Sequence, residues 1–187
     1  MPPAPGVHAL KLASFGEPEA LARIAMLYVQ SFAKPHYPRL MEWLGAILQL
    51  DPRSAYPLFS AARVYAETQD AARSRLALDF VYREFLRDPD RRWPWLAHAA
   101  LLAKHRLKDL ALARRYAAAV ERHATAPGVP LWARQMEIFI LEDMNELEAA
   151  KIMLGGLLES GAVRDPAELR FLGERLKALE ARLGSSK

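Results

Sequence analysis

His98 and His105 stand seven residues apart, which on a helix puts both imidazoles on one face about two turns apart. A helical zinc site uses histidines four apart with a further ligand close by, as in H-E-x-x-H. No carboxylate or third histidine falls at that spacing, and His8, His36 and His123 are isolated, so no metal is assigned. Glu142, Asp143, Glu146 and Glu148 cluster around Met144-Asn145. Paired carboxylates can do general acid/base chemistry, but no histidine partners these, and acids at a helix start are already favoured by the helix dipole. The chain has no cysteine, hence no thiol nucleophile, thiolate metal site or disulfide. It also lacks a phosphate-binding glycine loop, a nucleophile elbow and a dinucleotide fingerprint. The expectation is a non-enzyme without catalytic residues or cofactor.

Recognition chemistry is better represented. Arg92, Trp95, His98, Lys104 and Lys108 are the candidate groove residues, an aromatic ring among cations that suits an acidic peptide or a terminal carboxylate. Trp93 lies two residues from Trp95, about 200° around a helix, so the two rings cannot face the same way. Trp93 and Trp132 are assigned to the core as wedges within helical pairs, which leaves Trp95 for the binding surface. The net charge of +4 is concentrated between Arg87 and Arg122, and the balance turns acidic from Glu137 onward. Single-stranded RNA competes for such a face through stacking and cations. The regularly placed polar readers of a one-base-per-repeat code are missing, so nucleic acid is disfavoured.

These residues must be carried by helices. Of the 187 residues 52% are hydrophobic and 26% charged, and alanine, leucine, arginine and glutamate dominate. Residues 1–16, with Pro2, Pro3 and Pro5, are expected to be a flexible tail. Helical stripes then predict helices over 17–32, 39–50, 55–67, 70–86, 93–106, 109–124, 130–144, 147–158 and 167–183. Asp51-Pro52, Asp88-Pro89 and Ala126-Pro127 close successive pairs at spacings of 37 and 38 residues. Gly155-Gly156, inside an apolar stretch, is expected where two helices approach closely. Leu169, Leu172, Leu176, Leu179 and Leu183 form an a/d seam in the last helix. Such a seam serves either a capping helix or a homodimer, and a solenoid's need for an end cover favours the cap.

The proline-closed pairs resemble the tetratricopeptide repeat, W-x2-L-G-x2-Y followed by alternating small and aromatic residues and a proline, with a period of about 34 residues. Trp93-x2-Leu96-Ala97 matches its start; Ala113, Tyr116-Ala117 and Pro127 follow in order, with Ala100 in place of the tyrosine. Trp132 and Phe139 take the corresponding positions in the next pair, and Leu58-x2-Ala61-Ala62-x2-Tyr65 in the one before. The stretches Asp88-Pro89-Asp90-Arg91-Arg92-Trp93 and Pro127-Gly128-Val129-Pro130-Leu131-Trp132 are also similar to those of uncharacterised bacterial repeat proteins, often membrane-tethered.

The resemblance implies an all-α, right-handed solenoid of four hairpins over residues 17–160, with a C-terminal capping helix and tail over 161–187. It also implies a concave groove, lined mainly by the first helix of each pair, that holds a protein or peptide without catalysis. A structural subunit of a larger, membrane-attached assembly is the alternative. No window approaches ~18 consecutive apolar residues, so no membrane span is expected. The sequence does not settle a compartment; a complete chain would be cytoplasmic, and one that lost an upstream anchor periplasmic or membrane-tethered.

Overall fold

The computed structural model describes residues 1–185, and the described chain is all-helical. Its elements are α1 (Val7–Ala13), α2 (Pro18–Gln30), α3 (Tyr37–Leu50), α4 (Tyr56–Ser60) continuing into a π-helical turn (Ala61–Tyr65), α5 (Ala71–Phe85), α6 (Pro89–His105), α7 (Leu110–His123), α8 (Leu131–Asp143), α9 (Leu147–Glu159) and α10 (Pro166–Gly184).

Local chemistry explains the boundaries. Prolines occupy the first turn of α2, α3, α4, α6 and α10, where the missing N–H costs nothing. Asp70, Asp109 and Asp165 cap α5, α7 and α10, each carboxylate accepting from backbone N–H groups of the first turn. Asn145 adopts φ 61° after α8. There the Glu146 N–H donates to Leu141 O at 2.9 Å and the Asn145 N–H to Glu142 O at 3.0 Å, the paired bonds of a Schellman stop. The π turn closes through Ala66 N–H to Ala61 O at 2.9 Å. The carbonyls beyond it are taken up by side chains: Tyr65 O by the Tyr37 hydroxyl, Ala66 O by Ser74 and Thr68 O by Arg106.

From α2 onward each helix packs on the next, and α6 also touches the π turn before it and α8 after it. One continuous core runs from α1 to α8 through Leu40, Leu44, Leu58, Leu78, Phe85, Leu96, Tyr116 and Val120. A smaller one joins α8, α9 and α10 through Leu141, Leu154, Leu172 and Leu179. Polar contacts between alternate helices recur at 33 to 37 residues, including Arg75–Asp109, Asp79–Tyr116, Gln135–Glu168 and Glu142–Arg175.

Two expectations change, and the choice left open for the leucine seam narrows. The N-terminal sixteen residues include helix α1, whose Leu10 is buried, and Met1 and Pro2 are bonded to α3. In the leucine seam of α10, Leu172 and Leu179 are fully buried in the core with α8 and α9, Leu176 and Leu183 are half-buried against it, and Leu169 is exposed. Gly155 and Gly156 have no neighbour within 4 Å of a built Cβ, so close helix approach does not account for them.

Candidate functional site

Helix α6 has three working sides; four of the five candidate residues divide among them, and Lys108 lies beyond the helix. Arg92, Leu96, Ala99 and Ala103 follow the 3.6-residue stripe that faces the interior, and all four are buried. Arg92 therefore leaves the groove. Its guanidinium donates to Glu84 Oε2 at 2.9 Å, Glu84 O at 2.8 Å and Pro52 O at 3.3 Å, tying α6 to α5 and to the proline that ends the α3 pair. Glu84 also receives Arg87 at 2.7 Å.

Trp95 and His98 face α4, three residues apart and half-buried. The Trp95 ring meets Phe59 edge-to-face with centroids 6.0 Å apart, and Phe59 stacks on Tyr56 at 5.9 Å. Tyr56 Oη in turn accepts from Gln30 Nε2 of α2 at 3.0 Å. His98 sits one turn along, with Nδ1 3.4 Å from Arg63 Nη1 and Nε2 3.5 Å from Glu67 Oε1. Burial, reinforced by the Arg63 charge, holds the His98 imidazole below its ordinary value of 6.5, against an upward pull from Glu67.

Lys104 lies nine residues from Trp95, about 180° around the helix, and points to α8, where it pairs with Asp143. Trp93 is on that same side and meets Trp132 edge-to-face at 5.5 Å. Trp93 is half-buried and packs against the core, whereas Trp132, expected as a core wedge, is 54% exposed. Lys108 is exposed, beyond the end of α6 in the turn to α7 at φ 54°, so it belongs to neither side. His105 is exposed as well, away from the His98 cluster.

The acidic cluster also disperses. Glu142 takes a bidentate contact from Arg175 at 2.8 and 2.8 Å, Asp143 pairs with Lys104, and Glu146 and Glu148 are exposed. Among the described residues, no group of three or more His, Asp or Glu side chains is placed to hold a metal ion.

What the structure does bring together is a row of side chains running over α2, α4 and α6. Phe59 is 39% exposed and Tyr56 49%; Leu27 and Ile24 of α2 are more exposed still. Between α2 and α4 a cleft of about 290 Å3 is lined by Met26, Leu27, Ile47, Tyr56 and Pro57. The sequence reading missed Tyr56, Phe59, Arg63 and Glu67. A usable signal was present: Phe59 precedes Trp95 by 36 residues and Arg63 precedes His98 by 35, one repeat period each. Compared with family models, with curated proteins and with solved structures, the chain matches none of them.

Proposed function

We propose that the chain is a non-catalytic binding module of tetratricopeptide-like architecture that holds an extended protein segment across α2, α4 and α6. The observation that carries this reading is the aromatic run of exposed Tyr56 and Phe59 with half-buried Trp95, bordered by the α2–α4 cleft and flanked by Arg63, Glu67 and His98. Monomeric proteins seldom leave large rings open to water in a connected row unless something covers them, and rigid aromatics are common binding anchors. Contacts between alternate helices at a near-constant sequence separation support the solenoid arrangement.

The basis for an acidic partner narrows. Arg92 is buried, Lys104 is paired with Asp143 and Arg63 is balanced by Glu67, so beside its rings and apolar walls the face keeps the exposed Arg23 of the cleft. A segment with apolar anchors fits it better.

A benzophenone amino acid in place of Phe59 tests this in the native host. Adducts are expected from position 59, to be lost in the presence of Arg63→Glu, and not from the exposed Glu121 on α7. Equal labelling from both positions sinks the assignment. The reading of a permanent assembly subunit draws on Leu12, Phe15, Ile24 and Leu27, four strongly exposed apolar side chains of the N-terminal end. It predicts that the purified chain aggregates by itself, and a monodisperse monomer counts against it.

A further inference from the structure

Leu131, Arg134 and Ile138 lie on one face of α8, and Met153, Gly156 and Leu157 on one face of α9, by the spacing of neighbours on a helix. These two stripes bound a cleft of about 370 Å3, to which Glu121 of α7 also contributes. Gly156 is what keeps it open. It stands ten residues after Glu146, the N-cap of α9; ten residues after Asp70 and Asp109, the N-caps of α5 and α7, stand Phe80 and Ala119. Those two side chains are buried, whereas position 156 is exposed and a Cβ built there meets nothing within 4 Å. Glycine inside a helix lowers stability relative to alanine, and no close approach, cap or turn requires it here. Because Gly156 lines the cleft, a side chain at that position would narrow it.

The polar side chains of the lining divide into two kinds. Gln135 is buried and gives its amide to Glu168 at 2.9 Å, and the Ser160 hydroxyl donates to Leu157 O at 2.6 Å, so both are spent within the chain. The two charged groups are not. Arg134 is half-buried; its Nη2 reaches Ala126 O and Val129 O at 3.4 and 3.3 Å, and its Nε is buried without a partner. Those carbonyls place the guanidinium at the α7–α8 end of the cleft, and Glu121, exposed in the last turn of α7, is at that end too. Among the described residues neither Arg134 nor Glu121 has an ion pair. Ile138, one turn beyond Arg134, and Met153, one turn before Gly156, carry the cleft on as an apolar wall.

We propose that the α8–α9 cleft binds a free α-amino acid with an aliphatic side chain, its carboxylate on Arg134, its ammonium toward Glu121 and its side chain along Leu131, Ile138, Met153 and Leu157. The ligand class follows from the lining. Unpaired charges of both signs at one end match a zwitterion, and the apolar walls beyond them match an aliphatic body. A bare carboxylate would leave Glu121 facing a like charge, and a bare amine would do the same to Arg134. The volume falls within the range of small-molecule sites, about 300–1,000 Å3. The cleft shares no residue with the Phe59–Trp95 row, and either assignment can fail without the other.

The test is equilibrium dialysis of the full chain against radiolabelled L-leucine, with 4-methylpentanoate and 3-methylbutylamine as competitors. These carry the same branched body with the carboxylate alone or the ammonium alone. Each analogue lacks one charged contact and is expected to bind roughly tenfold or more weakly than leucine. Gly156→Leu puts a better helix former in the cleft, so leucine binding should fall by about tenfold or more while Tm stays level or rises. Glu121→Gln, an exposed change, should erase the advantage of leucine over 4-methylpentanoate, and Arg134→Met its advantage over 3-methylbutylamine. Absence of saturable leucine binding overturns the proposal, as does undiminished binding by folded Gly156→Leu. Competition by 4-methylpentanoate as strong as that by unlabelled leucine overturns the zwitterion and assigns the cleft to carboxylates instead.

Discussion

Arg92 and His98 are six residues apart on α6, both polar and both beside a carboxylate, but their surroundings differ. Arg92 is 6% exposed and satisfied by the Glu84 carboxylate, the Glu84 carbonyl and the Pro52 carbonyl. His98 opens toward Arg63 and Glu67 across a gap that neither closes fully, and its Nε2 is buried without a hydrogen-bond partner. The first arrangement is complete by itself. The second is looser, with both contacts at 3.4–3.5 Å and the partly exposed Phe59 and Tyr56 beside it. Position on the helix decides between them: Arg92 shares its stripe with Leu96, His98 shares its own with Trp95.

The largest expected effect comes from breaking the complete arrangement. Arg92→Ala leaves Glu84 buried with only Arg87, itself more than half exposed, as counter-charge. Loss of one partner of a buried pair costs about 3–5 kcal/mol, and urea denaturation followed by circular dichroism measures it. Arg92→Met, which removes the charge but fills the space, should be no better, because Glu84 stays behind. Only Arg92→Met combined with Glu84→Leu should recover most of the stability. If Arg92→Ala costs less than about 1 kcal/mol, the pair is not the tie between the repeats described above.

Phe59→Ser is the matching change on the open side. Phe59 is a partly exposed ring, so its loss should cost about 1 kcal/mol or less in the same denaturation experiment. Capture of the partner by position-specific cross-linking at Arg63 should nevertheless disappear. A large stability loss with intact capture would reverse the roles of the two sides.

His98 gives a pH signature of smaller size. Its folded-state value is depressed below 6.5, chiefly by burial and then by Arg63. Since the unfolded chain binds the proton more readily, the stabilising contribution is complete above 6.5 and declines as pH falls from 6.5 toward the depressed value. An NMR titration should place the His98 transition below 6.5, and Arg63→Ala should move it upward. The slope of stability with pH in that window should flatten in His98→Asn. A transition at or above 6.5 would mean that Glu67, and not burial, governs the site.

Helices were readable in the sequence because proline punctuation and apolar stripes are local signals, and every expected helix from α2 to α10 is present. Helix α1 and the packing of Met1 and Pro2 on α3 were not, since a proline-rich start reads as an absence of structure. Trp95 and His98 were found because they are local to α6; Phe59 and Arg63 were missed because their relation to them is a repeat period, visible only when two pairs are laid side by side. Lys104 was grouped with Trp95 on proximity along the chain, although nine residues carry it to the opposite side of the helix. The error with Arg92 has a different origin: charge argued for the surface, while its register with Leu96 already placed it inside.

Lys108 sharpens the contrast from a position on neither side. It lies in the turn between α6 and α7 in the left-handed region at φ 54°, where a side chain with a Cβ is disfavoured by roughly 1 kcal/mol and glycine is not. Glycine returns part of that gain because the unfolded chain becomes more flexible. Lys108→Gly should therefore stabilise the protein by about 0.5 kcal/mol, raising Tm by a degree or two for a chain of this size. Lys108→Val, β-branched and worse suited to positive φ, should lower it. Partner capture by the Phe59–Trp95 row should be unchanged in both, since the Lys108 side chain is exposed in the α6–α7 turn. If Lys108→Gly lost the partner while gaining stability, the turn would have to be counted as part of the binding surface, and the boundary drawn here at the end of α6 would move.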